Sequence, residues 1–278
     1  MRQIDLRAYA KINWSLLITD RREDGYHKLM SLMEQVDLSD EISIQKSAFD
    51  RIVCPMLPED SVNLALTAWL ALKAKLNLKD CLRISINKNI PLAAGMAGGS
   101  SDAAAVLHGV NELLDLGQTD EQLADIGLTL GADLPFCLSG GAAVVSGIGE
   151  RVEPIGDFPP LELLLINPGQ AVSTAEAYRG MTDAFCDRTV AYSKIASLLI
   201  ARRNLQFEQI AMIWHNDLQK SSMALCPAIA QIKLDLLKAG IPSLMSGSGA
   251  TVIAPLVPSE VLLELKAKYP FVQVVKTR

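Results

Sequence analysis

The sequence predicts a mixed helix-and-sheet fold in two domains, and three observations carry that prediction. The chain has 278 residues, half of them hydrophobic, which is enough for two cores of ordinary size. Segments with strand alternation and segments with helical periodicity follow one another along its length. The run EPIGDFPP at 153–160 concentrates prolines and turn formers, and it sets the domains at 1–155 and 156–278.

Taken in order, residues 4–19 alternate and end in the apolar run SLLIT, a buried strand that carries Lys11 and Asn13. A lysine at that place is either a snorkelling edge residue or an enclosed cation. RREDGYHKL at 21–29 turns at Asp24-Gly25 and delivers Tyr26 and His27 side by side, either as a loop rim or as a surface for a planar base. QVDLSDEISIQ at 35–45 predicts two strand edges around a turn. Residues 61–76 have helical spacing, and Asn63 near their start reads as a cap. LRISINKNIPL at 82–92 is a strand that runs into a glycine-rich loop and then a helix to about Leu114.

That loop, PLAAGMAGGSSDAAA at 91–105, has two readings. Gly95, Gly98 and Gly99 let backbone approach an anion, and amide groups opening a helix at Ser100 lack intrahelical acceptors. Alternatively it is a tight strand-to-helix turn with a serine cap. It matches neither GxxxxGK[ST] nor GxGxxG.

Thr119 and Gln122 open a helix that stops at Gly131, and Asp133 follows among Leu134, Phe136 and Cys137. A carboxylate in such company is paired, hydrogen-bonded or functional. Beyond 160 the pattern gives a strand at LELLLIN and a short helix capped by Ser173 or Thr174 that carries Tyr178. Helices follow at 190–203, 205–219 and 225–239, then two short strands around Gly247, Ser248 and Gly249, a helix from Ser259 and a final strand. His108 and His215 read as structural residues within helices.

A net charge of -5 without a basic block speaks against nucleic acid, and no apolar run reaches membrane-spanning length. The five scattered cysteines lack metal-ligand spacing and read as reduced, mostly buried thiols of a cytoplasmic protein. The partner expected is therefore a small molecule.

Three segments in this order, KINWSL at 11–16, the glycine loop at 91–105 and SGSGAT at 246–251, resemble the three motifs of the GHMP kinase superfamily. DGYH at 24–27, GADLPF at 131–136 and PG..VST at 168–174 narrow the resemblance to the branch that phosphorylates a cytidyl diphosphate of a branched polyol. The resemblance covers nearly the whole chain. It implies an α+β fold with an N-terminal ribosomal-protein-S5 domain 2-like domain, a C-terminal ferredoxin-like domain, and a site in the cleft between them. It implies ATP and Mg2+ as cofactors, and a monomer or homodimer.

Residue by residue, the resemblance makes Asp133 the base that takes the proton of the substrate hydroxyl, and Lys11 the cation beside it. It places ATP against Asn63, Lys88 and the run Pro91, Leu92, Ala93, Ala94, Gly95, Met96, Ala97, Gly98, Gly99, Ser100 and Ser101, with the Ser100 or Ser101 hydroxyl near the metal. Substrate falls to Asn13, Tyr26, His27, Tyr178, Gly247, Ser248 and Gly249, with Tyr26, His27 and Tyr178 on the cytosine. Ala93, Ala94 and Ala97 stand where glycine is common in the family, and alanine disfavours positive φ. A kinase acting on mevalonate or homoserine, or a nucleotide sensor without turnover, are the alternatives. The first leaves the aromatic set nothing to stack on, and the second leaves Lys11 and Asp133 without a task.

Overall fold

The computed structural model describes residues 2–58, 61–181 and 185–278. In chain order its elements are β1 (Gln3–Arg21), β2 (His27–Ser47), β3 (Arg51–Val53), α1 (Leu64–Lys75), β4 (Cys81–Asn87), α2 (Gly98–Leu113), α3 (Asp120–Leu128), α4 (Leu134–Ser139), β5 (Ala142–Gly147) and β6 (Arg151–Pro154). They continue as β7 (Glu162–Asn167), α5 (Thr174–Arg179), α6 (Arg188–Arg203), α7 (Phe207–Ile213), α8 (Gln219–Leu225), α9 (Pro227–Lys238), β8 (Leu244–Met245), β9 (Val252–Ala254), α10 (Ser259–Lys268) and β10 (Phe271–Lys276). The chain forms two compact units interleaved in sequence: Met1–Ala10, Leu38–Ile90 and Ala97–Gly140 make one, and Lys11–Asp37, Pro91–Met96 and Gly141–Arg278 the other. Among the described residues no helix is long and apolar enough to cross a membrane.

In the first unit β4 pairs antiparallel with β2, from Glu41 opposite Asn87 to Ser47 opposite Cys81, and parallel with β3. Alternation puts Ile42, Ile44, Leu82, Ile84 and Ile86 on the buried face, where Trp69, Leu72, Val106, Leu107 and Phe136 of the helices meet the same core. Helix α2 comes so close to this sheet that a Cβ at Gly109 would lie 2.3 Å from Leu6 Cδ1 and 2.8 Å from Ile44 Cδ1. Asp50 ties the layers together: its carboxylate accepts from Trp69 Nε1 (2.7 Å), Lys73 Nζ (2.6 Å) and the Leu82 amide (2.8 Å). Burial opposes its charge, but these donors outweigh it and hold the Asp50 carboxyl below the usual range.

The second unit contains the antiparallel order β10-β7-β9-β8. Leu163, Leu164, Leu165 and Ile166 of β7 are all fully buried, as a central strand covered on both faces requires. Glu34 and Arg202 form an ion pair that is fully buried, with Arg202 Nε at 2.9 Å and Nη2 at 2.8 Å from the carboxylate. Trp14 Nε1 adds a third donor to Glu34 at 2.7 Å, and the guanidinium lies over the Trp14 and Phe158 rings.

Three expectations are corrected. Residues 35–45 make no turn but belong to the single strand β2, because Asp40 is used inside the fold, accepting from the Asn89 and Ile90 amides. The predicted helix 205–219 ends early, α7 stopping at Ile213 and α8 beginning only at Gln219, because Asn216 is drawn out to donate to Met245 O (2.7 Å) and Gly247 O (2.8 Å) while Leu16 pairs with its neighbours. His215 therefore lies between helices, against Asp217. The cysteines are all free, but only Cys137 and Cys226 are buried; Cys54, Cys81 and Cys186 are half-buried.

Candidate functional site

In the first unit the candidate residues gather around the start of α2. The helix begins at Gly98, two residues before the expected Ser100, and its cap residue Ala97 is left-handed (φ 56°). Ala93 shares this strained conformation (φ 47°), so alanine is used where glycine would be relaxed. The glycines of the first turn differ in kind. A Cβ on Gly98 would stand 3.0 Å from Ile90 Cγ2 and 3.3 Å from Lys88 Nζ, so packing explains it. A Cβ on Gly99 would meet nothing within 4 Å. Glycine there weakens the helix and fills no tight place.

The two serines separate as well. Ser101 is buried and its hydroxyl donates to the Tyr9 carbonyl at 2.7 Å, with Cys137 Sγ at 3.4 Å. Ser100 is half-buried and is not committed in this way. Asn63 caps α1, its side chain accepting from the Ala65 amide at 2.9 Å. Asp133 occupies the N-cap position of α4 without capping it through its side chain, and its carbonyl accepts from the Cys137 amide. Pro135 in the first turn of α4 starts that helix at a place the sequence left open.

Beside this helix start lies a buried charge cluster. Lys88 Nζ donates to Asp40 Oδ2 and, at 2.7 Å, to Asp102 Oδ2, all three side chains being buried. Asp40 Oδ1 also accepts the amides of Asn89 (2.6 Å) and Ile90 (2.8 Å), while Asp102 Oδ1 is buried without a hydrogen-bond partner. Burial pushes the Asp102 carboxyl up to about 7, against the pull of Lys88 and with the help of the Asp40 charge. Burial works against the Lys88 ammonium, yet Asp102 and Asp40 together raise its pKa. Asp40 and Asp102 were not among the predicted site residues; a Ser39-Asp40 pair in a turn-like run and an ordinary helix-start Asp hid them.

In the second unit, Lys11 is buried and its Nζ donates to Asn13 Oδ1 at 2.7 Å. Asn13 Nδ2 donates in turn to Ser31 Oγ (2.9 Å), which donates to the Ser15 carbonyl, so the asparagine is fixed from both ends. The first half of the glycine loop packs against the 246–249 loop. Ser246 Oγ donates to Gly95 O at 3.2 Å, and a Cβ at Gly95 (φ 73°) would lie 2.2 Å from Ser246 O and 2.8 Å from the Gly249 amide. Gly247 is equally confined, 2.6 Å from Gly95 O and 3.1 Å from Lys11 Nζ at its notional Cβ. Ser248 shares a hydrogen bond with Thr174 Oγ1 at 2.8 Å. The structure thus brings Lys11, Asn13, Gly95, Gly247 and Ser248 together.

The aromatic group is assembled by Gly25 (φ 89°) in its turn and by α5, which Ser173 caps. His27 stacks on Tyr178 with centroids 5.3 Å apart at 27°, and Phe185 meets His27 edge-on at 6.3 Å. Tyr26 is 61% exposed, an uncovered ring beside this cluster in sequence. Phe185 was missed by the sequence reading, since nothing in its spacing distinguishes it from a loop residue.

Comparison with known proteins agrees with the motif resemblance. Residues 63–141 match the GHMP kinases N terminal domain and residues 195–270 the GHMP kinases C terminal domain. The chain is 39% identical to the 4-diphosphocytidyl-2-C-methyl-D-erythritol kinase of Shouchella clausii over 89% of its length and 84% of that protein. With the kinase of the same name from Clostridium perfringens (strain ATCC 13124) it shares 38% identity over 98% and 97% of the two chains. A crystal structure of 4-(cytidine 5'-diphospho)-2C-methyl-D-erythritol kinase superposes with a TM-score of 0.80 at 28% identity, covering 99% of both chains. The homoserine kinase of Cytophaga hutchinsonii, at 18% identity and a TM-score of 0.74, shares the fold. With relatives at this identity along nearly its full length, the chain belongs to the GHMP kinases and, within them, to the 4-diphosphocytidyl-2-C-methyl-D-erythritol kinase family.

Proposed function

We propose that the chain transfers a phosphoryl group from ATP to the 2-hydroxyl of 4-diphosphocytidyl-2-C-methyl-D-erythritol, with Asp133 as base and Lys11 as the cation that stabilises charge on the transferring group. The observation that supports the phosphate half is Gly99, a helix-weakening residue with open space at its Cβ beside the unbonded amides of α2. Phosphoryl transfer depends on positioning and charge neutralisation more than on covalent chemistry. Backbone amides at Gly98, Gly99 and Ser100 supply donors that need no reorganisation, and the helix dipole adds to them.

Lys11 is suited to stabilise charge on the transferring group because Asn13 fixes its ammonium in a buried setting. Asp133 accepts the hydroxyl proton as the oxygen attacks. Tyr26 offers an exposed ring to the cytosine, with His27, held by Tyr178, for its polar edge. Asn63 and Lys88 act from behind, the first by fixing the start of α1 and the second from within the charge cluster. Magnesium, when bound, would neutralise phosphate charge. Ser100, half-buried, is the serine suited to hold it, since Ser101 is buried. Free cysteines throughout suit a cytoplasmic enzyme.

Product analysis with ATP, magnesium and the cytidyl substrate tests this reading. Asp133→Asn is expected to lower kcat by ~10² to 10⁴ with ATP affinity retained. Unchanged turnover in that variant removes the assigned base, and activity on mevalonate or homoserine in place of the cytidyl compound removes the substrate.

A further inference from the structure

Asn13 is fully buried and gives three of its polar groups to three different neighbours. Its backbone amide donates to Ser246 Oγ (3.4 Å), its Nδ2 donates to Ser31 Oγ (2.9 Å), and its Oδ1 accepts from Lys11 Nζ (2.7 Å). Both serines are buried, and each commits its hydroxyl proton to a backbone carbonyl, Ser246 to Gly95 O and Ser31 to Ser15 O. A hydroxyl has only one proton, so each serine faces Asn13 as an acceptor. Ser31 sits in β2 among buried apolar neighbours, Met30, Leu32 and Met33, where a hydroxyl is stable only with its hydrogen bonds made.

That commitment decides which way round the asparagine amide lies. With Nδ2 on the Ser31 oxygen, Oδ1 is turned to the ammonium. The reverse orientation would set Oδ1 against the lone pairs of Ser31 and the amide N–H groups against the Lys11 ammonium, a mismatch at both ends in a buried setting. Ser246 anchors the Asn13 backbone separately, so the side-chain orientation depends on Ser31 and not on the path of β1. We propose that Ser31 is a positioning residue, which acts through Asn13 to hold the Lys11 ammonium where it stabilises the transferring phosphoryl group. This rests on the role given to Lys11 above.

The test is steady-state kinetics of the full chain. Ser31→Ala is expected to lower kcat about tenfold to a hundredfold while KM for ATP stays within about twofold, since a displaced group costs turnover more than nucleotide binding. Ser31→Thr and Ser31→Val have nearly equal bulk and differ in the hydroxyl, so they repeat the comparison without a cavity. The threonine variant should keep most of the turnover that the valine variant loses, and equal kcat in the two overturns the proposal. In an Asn13→Ala background, Ser31→Ala should add no further loss, because the relay is already broken. A loss that multiplies there as fully as in wild type also overturns it. Nitrogen-15 NMR of the lysine ammonium groups, with the Lys11 signal assigned by its disappearance in Lys11→Met, reads position directly. That signal should shift in Ser31→Val and return in Ser31→Thr, and an unmoved signal overturns the proposal. Unchanged kcat in Lys11→Met overturns the role of Lys11 instead, and is told apart because the ammonium signal still moves when the Ser31 hydroxyl is removed.

Discussion

Gly99→Ala separates a glycine kept for the fold from a glycine kept for a ligand. The residue lies in the first turn of α2 with ordinary helical φ, and its added Cβ meets nothing within 4 Å. On the protein alone the substitution should therefore stabilise, by about 0.5 to 1 kcal/mol, the helix-propensity gain of alanine over glycine. If phosphate oxygens reach the amides at this turn, the methyl group holds them away. Losing one hydrogen bond to a charged acceptor weakens binding by about 1.5 to 3 kcal/mol, roughly tenfold to a hundredfold in KM for ATP. Urea melts and ATP titration of kcat and KM read the two effects. A more stable variant with unchanged KM would refute the close-approach argument. Gly95→Ala is the contrast, because its Cβ would sit 2.2 Å from Ser246 O at φ 73°. That variant should lose more than about 2 kcal/mol of stability, from left-handed strain and overpacking together.

Other predictions follow from the remaining strained and buried groups. Ala97→Gly should stabilise the chain by about 1 kcal/mol, seen as a higher urea midpoint, since φ 56° strains alanine and suits glycine. Arg202→Ala should cost about 3 to 5 kcal/mol by leaving Glu34 charged and buried, and the Glu34→Gln/Arg202→Met double variant should recover most of it in thermal melts. Burial lowers the Lys233 ammonium to about 8, although it still donates to the Ser243 carbonyl. A depressed lysine holds its proton less tightly folded than unfolded, so stability should rise with pH between about 8 and 10.5, and Lys233→Met should flatten that rise.

Much of the chemistry was legible in the residues because it is local. The helix start at Thr119 carries both bonds of its capping box, the Asp24-Gly25 turn presents Tyr26 and His27, and strand, glycine loop and helix follow in order around residue 95. Each of these depends on neighbours in sequence, where propensity and short-range hydrogen bonding act. The long-range polar partners were not legible. Asp40 looked like a turn residue until Lys88, 48 positions away, gave its carboxylate a buried counter-charge. Asn216 looked helical until the carbonyls of Met245 and Gly247 pulled it from the helix.

The sequence by itself determined the family, the motif order and the residue types needed for phosphoryl transfer, since these are written as short patterns. The tertiary structure alone decided which of them are held and by what. It separated Gly95, required by packing, from Gly99, left open, and Ser101, already bonded, from Ser100. It also gathered Asp40, Lys88 and Asp102 into one buried cluster. The physical reason is that burial and desolvation belong to the folded surroundings of a side chain, and no local pattern of residues records them.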